Sequence, residues 1–134
     1  MSKGNTTEND LLSKIFTATA LSLDAATQLD IHLHTADPGE AGLTTTSEAT
    51  YTSYALVTVN RNTGDWTVVT GSCTNDNLIQ FPQCTGGTNT ITHVSISPNA
   101  STQILYSGAL NSSLSVSNGI QPQFAASALT ITED

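Results

Sequence analysis

Hydrophobic and polar positions alternate along most of this chain. Over residues 28–35, Leu29, Ile31 and Leu33 fall on one face, and Asp30, His32 and His34 on the other. Over 92–96, Val94 and Ile96 alternate with His93 and Ser95, and near the end Leu129 and Ile131 alternate with Thr130 and Thr132. Period two predicts antiparallel strands with one dry and one wet face. Shorter β-patterned runs occur at 51–60, 66–70, 77–81, 103–110, around Val116 and at 123–124. Turn residues punctuate them: Asp37-Pro38-Gly39, Asn62-Thr63-Gly64, Pro82, Gly86-Gly87 and Pro98-Asn99. The connections are too short for βαβ crossovers. The expectation is an all-β fold, an antiparallel β-sandwich or jelly roll of roughly eight strands. Residues 43–50, with little beyond Leu43 to anchor them, read as an exposed loop.

One segment departs from this period. Leu11, Leu12, Ile15 and Phe16 form an i, i+1, i+4, i+5 stripe, one face of a helix. Thr6 or Thr7 can cap it, Thr7 with Asp10 being a weak capping box, and Thr17-Ala18-Thr19 close it. So short a helix is marginal in water and must dock, either on the sandwich or on a neighbouring subunit. The expectation is an N-terminal arm over 1–20 and a β-sandwich over 21–134. Leu11, Leu12, Ile15 and Phe16 are the expected oligomer or capsid contact.

Composition narrows the function classes. The 134 residues suffice for one domain. Charged residues make up only 10%, and the polarity is largely Ser and Thr, which suits exposed sheet faces. Eleven acids stand against Lys3, Lys14 and Arg61, for a net charge of −8. Three cations cannot line a phosphate-binding surface, so neither nucleic acid nor an anionic membrane is an expected partner. No apolar run is long enough to span a bilayer, and the N-terminus lacks the apolar core of a secretory signal, so synthesis in a host cytoplasm is expected.

The candidate chemistry is sparse. His32 and His34, at i and i+2, share a strand face as a zinc pair would, with His93 and Asp30 as conceivable further ligands. Exposed strand histidines, or histidines at a subunit contact, are the preferred reading. Cys73 and Cys84 lack CxxC spacing, and an intramolecular disulfide between them is narrowly favoured over free thiols. Asp37 and Glu40 read as turn residues rather than a calcium loop. Trp66 and the tyrosines could form a glycan-binding face, although a lone Trp equally suits the core. No nucleophile elbow, phosphate loop or dinucleotide fingerprint is present. The expectation is a non-enzyme with no cofactor or metal.

The order of several motifs carries a family likeness: HTADPGEAG at 34–42, then Tyr54-Ala55, Phe81-Pro82, Thr92-His93-Val94-Ser95-Ile96, Leu105-Tyr106-Ser107-Gly108-Ala109-Leu110 and finally FAASALTIT at 124–132. This resembles a family of small tailed-bacteriophage virion proteins often labelled "tail fibre protein", similar in build to capsid cement proteins. Its members usually carry an apolar or small residue where His32 stands and an aromatic near residues 88–90, and Cys73 and Cys84 are not regular features. The resemblance implies a virion component that works by assembly. A homo-oligomeric capsid decoration or cement protein is expected first, with a trimer favoured and the major capsid protein or another virion protein as partner. A tail-fibre or baseplate module contacting the host surface is the alternative.

Overall fold

The computed structural model describes residues 1–133; Asp134, the last position of the expected sandwich domain, lies outside the described residues. Ten strands and one α-helix follow one another as β1 (Ser2–Lys3), α1 (Asn5–Thr17), β2 (Gln28–His34), β3 (Val57–Asn60), β4 (Trp66–Val69), β5 (Ser72–Asn75), β6 (Ile79–Gln80), β7 (Asn89–Pro98), β8 (Tyr106–Val116), β9 (Gln123–Phe124) and β10 (Thr130–Thr132). A single 3-10 turn at Ser22–Ala25 links the helix to β2.

Five strands form the main sheet in the order β1-β8-β7-β2-β3, every pair antiparallel. β10-β5-β4 and β6-β9 form smaller sheets. Between them lies one core. Ile31, Leu33, Val94 and Ile96 from the main sheet meet Trp66, Ile79, Phe81 and Ile131 from the smaller pieces. Register explains this: Ile31 pairs with Ile96 and Leu33 with Val94, so the apolar positions of β2 and β7 share a face. Burying each such side chain contributes about 1.5–3 kcal/mol. The fold is all-β, and its second layer is broken in two, unlike the paired four-stranded sheets of a jelly roll.

Several local expectations change. Residues 106–110 and Val116 belong to one strand, β8, because β7 pairs with it on both sides of an irregularity at Ile91/His93, while 103–105 lie before it. Ser72–Asn75, with no hydrophobic alternation, is nevertheless a strand, held centrally between β4 and β10. Its Asn75 is buried and ties the end of β5 to the β9–β10 connection: Nδ2 donates to Asn77 O at 2.8 Å and Ala125 O at 2.9 Å, and Leu129 N donates to Oδ1 at 2.9 Å. Residues 51–56 are turn rather than strand, pinned by Tyr51, whose hydroxyl donates to Pro82 O at 2.9 Å.

The largest correction concerns 43–50, which is not a loose loop. β3 pairs with β2 only as far as Ile31, leaving the edge of β2 beyond it open. The 43–54 segment takes over that edge. Ala49 N donates to Leu33 O at 2.8 Å, and Thr35 N to Ser47 O at 2.9 Å. Asn89 Oδ1 accepts from both Thr50 N and Tyr51 N, at 2.7 and 2.8 Å. Thr44, Ala49 and Tyr51 are buried as a result. We call this segment the strap.

Candidate functional site

The strap covers the face of β2 that alternation had assigned to solvent. His32 and His34 are buried, so the expectation of exposed histidines does not hold. His34 Nδ1 lies 2.9 Å from Thr46 O. A carbonyl oxygen only accepts, so Nδ1 carries the proton, and Nε2 accepts from the Ser95 hydroxyl at 2.7 Å. Burial holds the His34 pKa below the ordinary imidazole value, outweighing the Thr46 carbonyl, which favours the charged form. His32 donates from Nδ1 to Glu48 Oε1 at 2.7 Å, and Ser97 Oγ lies 3.2 Å from its Nε2. The Tyr54 hydroxyl donates to the same carboxylate oxygen at 3.0 Å and accepts from Leu33 N at 3.1 Å. Its own pKa is pushed up, chiefly by burial.

Asp30 completes this layer at the β2–β3–β7 end. It accepts from Thr58 Oγ1 at 2.7 Å, Asn99 Nδ2 at 3.0 Å and Ala100 N at 3.0 Å. Burial alone would raise its pKa; the three hydrogen bonds and nearby His32 together hold it lowered. Among the described residues, no buried side-chain polar atom lacks a hydrogen-bond partner. This is the signature of a structural network, in which satisfied polar groups fix a unique packing.

Ser97, His32 and Glu48 do fall in the order of a nucleophile, a base and an orienting carboxylate. Ser97 is fully buried, however, with no surface on which a substrate could meet it. Nor are the residues conceived as metal ligands arranged for that role: His32 and His34 are each committed to protein partners, their ring centroids 6.4 Å apart. Among the described residues, no group of three or more His, Cys, Asp or Glu side chains is gathered as metal ligands would be. His93 turns instead toward a shallow cleft with Asp37 and Glu40. The bond expected between Cys73 and Cys84 is not formed, and both are free thiols. Cys73 sits within β5, in register with Val68 and Ile131, whereas Cys84 lies in the β6–β7 connection with its thiol on Gly86 O at 3.1 Å. Trp66 offers no exposed sugar platform; it is buried, with Nε1 donating to Asn60 O at 3.0 Å.

The helix inverts the usual arrangement. None of its residues is buried. Polar side chains tie it to the domain: Thr7 Oγ1 donates to Ile104 O at 3.1 Å, Ser22 Oγ donates to Asp10, and Lys14 Nζ lies 3.6 Å from Asp24. Leu11, Leu12, Ile15 and Phe16 are 38%, 54%, 63% and 78% exposed. The stripe is least exposed at Leu11, nearest the domain, and most at Phe16. No side chain caps the N-terminus, and the expected Thr7–Asp10 box is not formed, because the helix begins earlier, at Gly4. Gly4 is required there for space: a Cβ would stand 2.1 Å from Ile104 O. Ala18, in left-handed conformation, ends the helix. Alternation and the helical stripe were legible in sequence; the strap over the histidines was not, since nothing in residues 43–54 marks their partner strand.

A family model described as "Podophage GP4 fiber I protein gp80" matches residues 2–132. No curated protein matches the chain. Among the described residues, no helix is long and apolar enough to cross a membrane.

Proposed function

The chain belongs to the podophage GP4 fiber I protein gp80 family, a family of phage structural proteins, and on that premise we propose that it is a fibre-type virion subunit that works by homo-oligomeric assembly through its N-terminal helix. The observation that carries this reading is the inverted helix, whose polar side faces its own domain and whose apolar side faces outward. A soluble monomer gains nothing from such a face, and an assembling subunit needs one. The histidine layer supplies rigidity and no chemistry in this reading: its candidate nucleophile, Ser97, is fully buried. The partners are other copies of the chain and the virion protein on which they stand.

A capsid-decoration role is the second reading. It is supported by the compact two-layer body, which suits a lattice position as well as it suits a fibre. Cryo-electron microscopy of the intact particle, with the density traced to this chain, separates the two. Density on a fibre is the expected result; density over the capsid lattice selects the second reading; a purified virion lacking the protein overturns both.

A further inference from the structure

A second apolar feature lies beside the helix. Where the main sheet and the three-stranded sheet splay apart, they leave an open groove of about 490 Å³ lined by Leu29, Trp66, Val68, Ile96, Tyr106 and Ile131. A smaller depression at the foot of α1 reaches Leu11 and shares Leu23, Leu105, Tyr106 and Glu133 with the groove. The two adjoin as a channel that is apolar except where the Glu133 carboxylate, paired with Lys3 and bonded by the Tyr106 hydroxyl, stands between them. It runs from the helix to the edge of β4, where Val68 and Val69 are 73% and 61% exposed. The helix cannot fill this channel in its own molecule. Gly4 N is bonded to Leu105 O at 3.0 Å and Asn5 N to Glu40 O at 2.9 Å, which fixes its start. Its polar side, bearing Thr7, Asp10 and Lys14, is the one turned to the domain.

We infer that the channel receives helix α1 of a second copy of this chain, so that each molecule presents both halves of the contact. This rests on the reading of the chain as an assembling subunit and names the surfaces by which it assembles. Three features select this occupant. The stripe and the channel are contiguous on one molecule, so two copies can bury both at once, each helix lying in the other's channel. With a charge of −8 per copy, self-association requires contact surfaces low in unpaired charge; the channel's Glu133 is already paired with Lys3 at 2.7 Å, and the stripe itself is apolar. The charges are complementary: at 100° per residue Glu8, in the first turn of α1, points in the same outward direction as Leu12 and Ile15, and Arg61 stands at the groove edge. Arg61 is already held in place, its Nη1 donating to Leu23 O at 2.7 Å and Ala26 O at 2.9 Å, so it meets an incoming carboxylate without reorganising.

Two variants of the full-length protein test this, one on each surface: Phe16→Asp on the helix and Val68→Asp in the groove. Both side chains are exposed in the single copy, so each variant should melt with the wild type. In sedimentation equilibrium the wild type should self-associate, and each variant alone should associate more weakly by roughly tenfold or more. An equimolar mixture of the two should partly recover association. The helix of the Val68→Asp copy is intact, as is the channel of the Phe16→Asp copy, so one of the two contacts survives. A Val68→Asp protein that associates like the wild type, or a mixture no better than its components, would overturn the helix-in-channel contact. A wild type that stays monomeric would also overturn it. Incorporation of the protein into virions, scored separately, reports on the assembly reading itself and can succeed where the channel contact fails.

Discussion

The strap-covered face of β2 and the outer face of α1 both depart from the ordinary rule of polar outside and apolar inside. On β2, a carboxylate and two imidazoles are buried, each with partners: Asp30 holds three donors, His32 sits on Glu48, and His34 lies between Thr46 and Ser95. On α1, four large apolar side chains face outward with none of the helix buried. The first inversion is resolved within the molecule, because the strap brings a backbone carbonyl and a carboxylate to the imidazoles, while Thr58, Asn99 and Ala100 meet Asp30. The second has no resolution within the chain. A buried polar group needs specific partners at short range, which the same chain can place; an exposed apolar face needs only area, which another molecule supplies as readily. The difference separates a structural network from an assembly surface.

The sharpest way to break this comparison is to remove a member of the buried layer. Asp30→Ala leaves Ala100 N, Thr58 and Asn99 without their acceptor and should cost about 2–4 kcal/mol of stability, read from the urea midpoint. His34→Ala should fall in the same range, since it leaves Ser95 and Thr46 O unpaired beside a new cavity. Were either change neutral, the layer would not be the rigid network described.

Acid should act on the same layer. His34 has a folded pKa below its unfolded value, so between the two the unfolded chain binds more protons. Its contribution is intact above the unfolded value of about 6.5 and is lost as the pH falls below it toward the folded value, at up to about 1.4 kcal/mol per pH unit. Glu48, His32 and His93 are the titratable neighbours that modulate this loss. Asp30, also lowered, adds a second decline below about pH 4, the range in which the unfolded carboxyl takes up protons first. Melting temperatures of wild type and His34→Gln between pH 5 and 8 should therefore show the steeper acid limb in the wild type. Parallel limbs would remove His34 from the account.

How much of this was legible in the sequence follows from where the determining information sits. β2, β4, β7 and β10 announce themselves by alternation or short β-branched runs, because the face they bury is their own. Ser72–Asn75 does not: it is a strand because two neighbours pair with it and because Asn75 is a hub. The strap is likewise set by the open edge of β2, a property of another segment. Alternation gave the polarity of the β2 face correctly and its exposure wrongly, since polarity is local and coverage is not. On the helix the stripe was visible, and its outward direction came from polar ties to residues as distant as Ile104.

The thiols provide the gentlest test. Cys84 is buried with its thiol on Gly86 O, and burial, with Asp76 nearby, raises the pKa of Cys73. A thiol reagent at neutral pH should label Cys73 slowly and Cys84 only on unfolding. Cys73→Ser should change stability by about 0.5 kcal/mol or less. Rapid labelling of Cys84 would show that the loop bonded to the strap at Thr52 opens.

The central claim is that the outward face of α1 is an assembly surface rather than part of the domain's own core. It is tested most directly by phage carrying Phe16→Asp, with the copy number of this protein per purified virion measured by quantitative mass spectrometry. The account predicts that the purified variant melts with the wild type while virions carry it at a small fraction of the normal copy number. Virions that incorporate the variant at the wild-type level would contradict it.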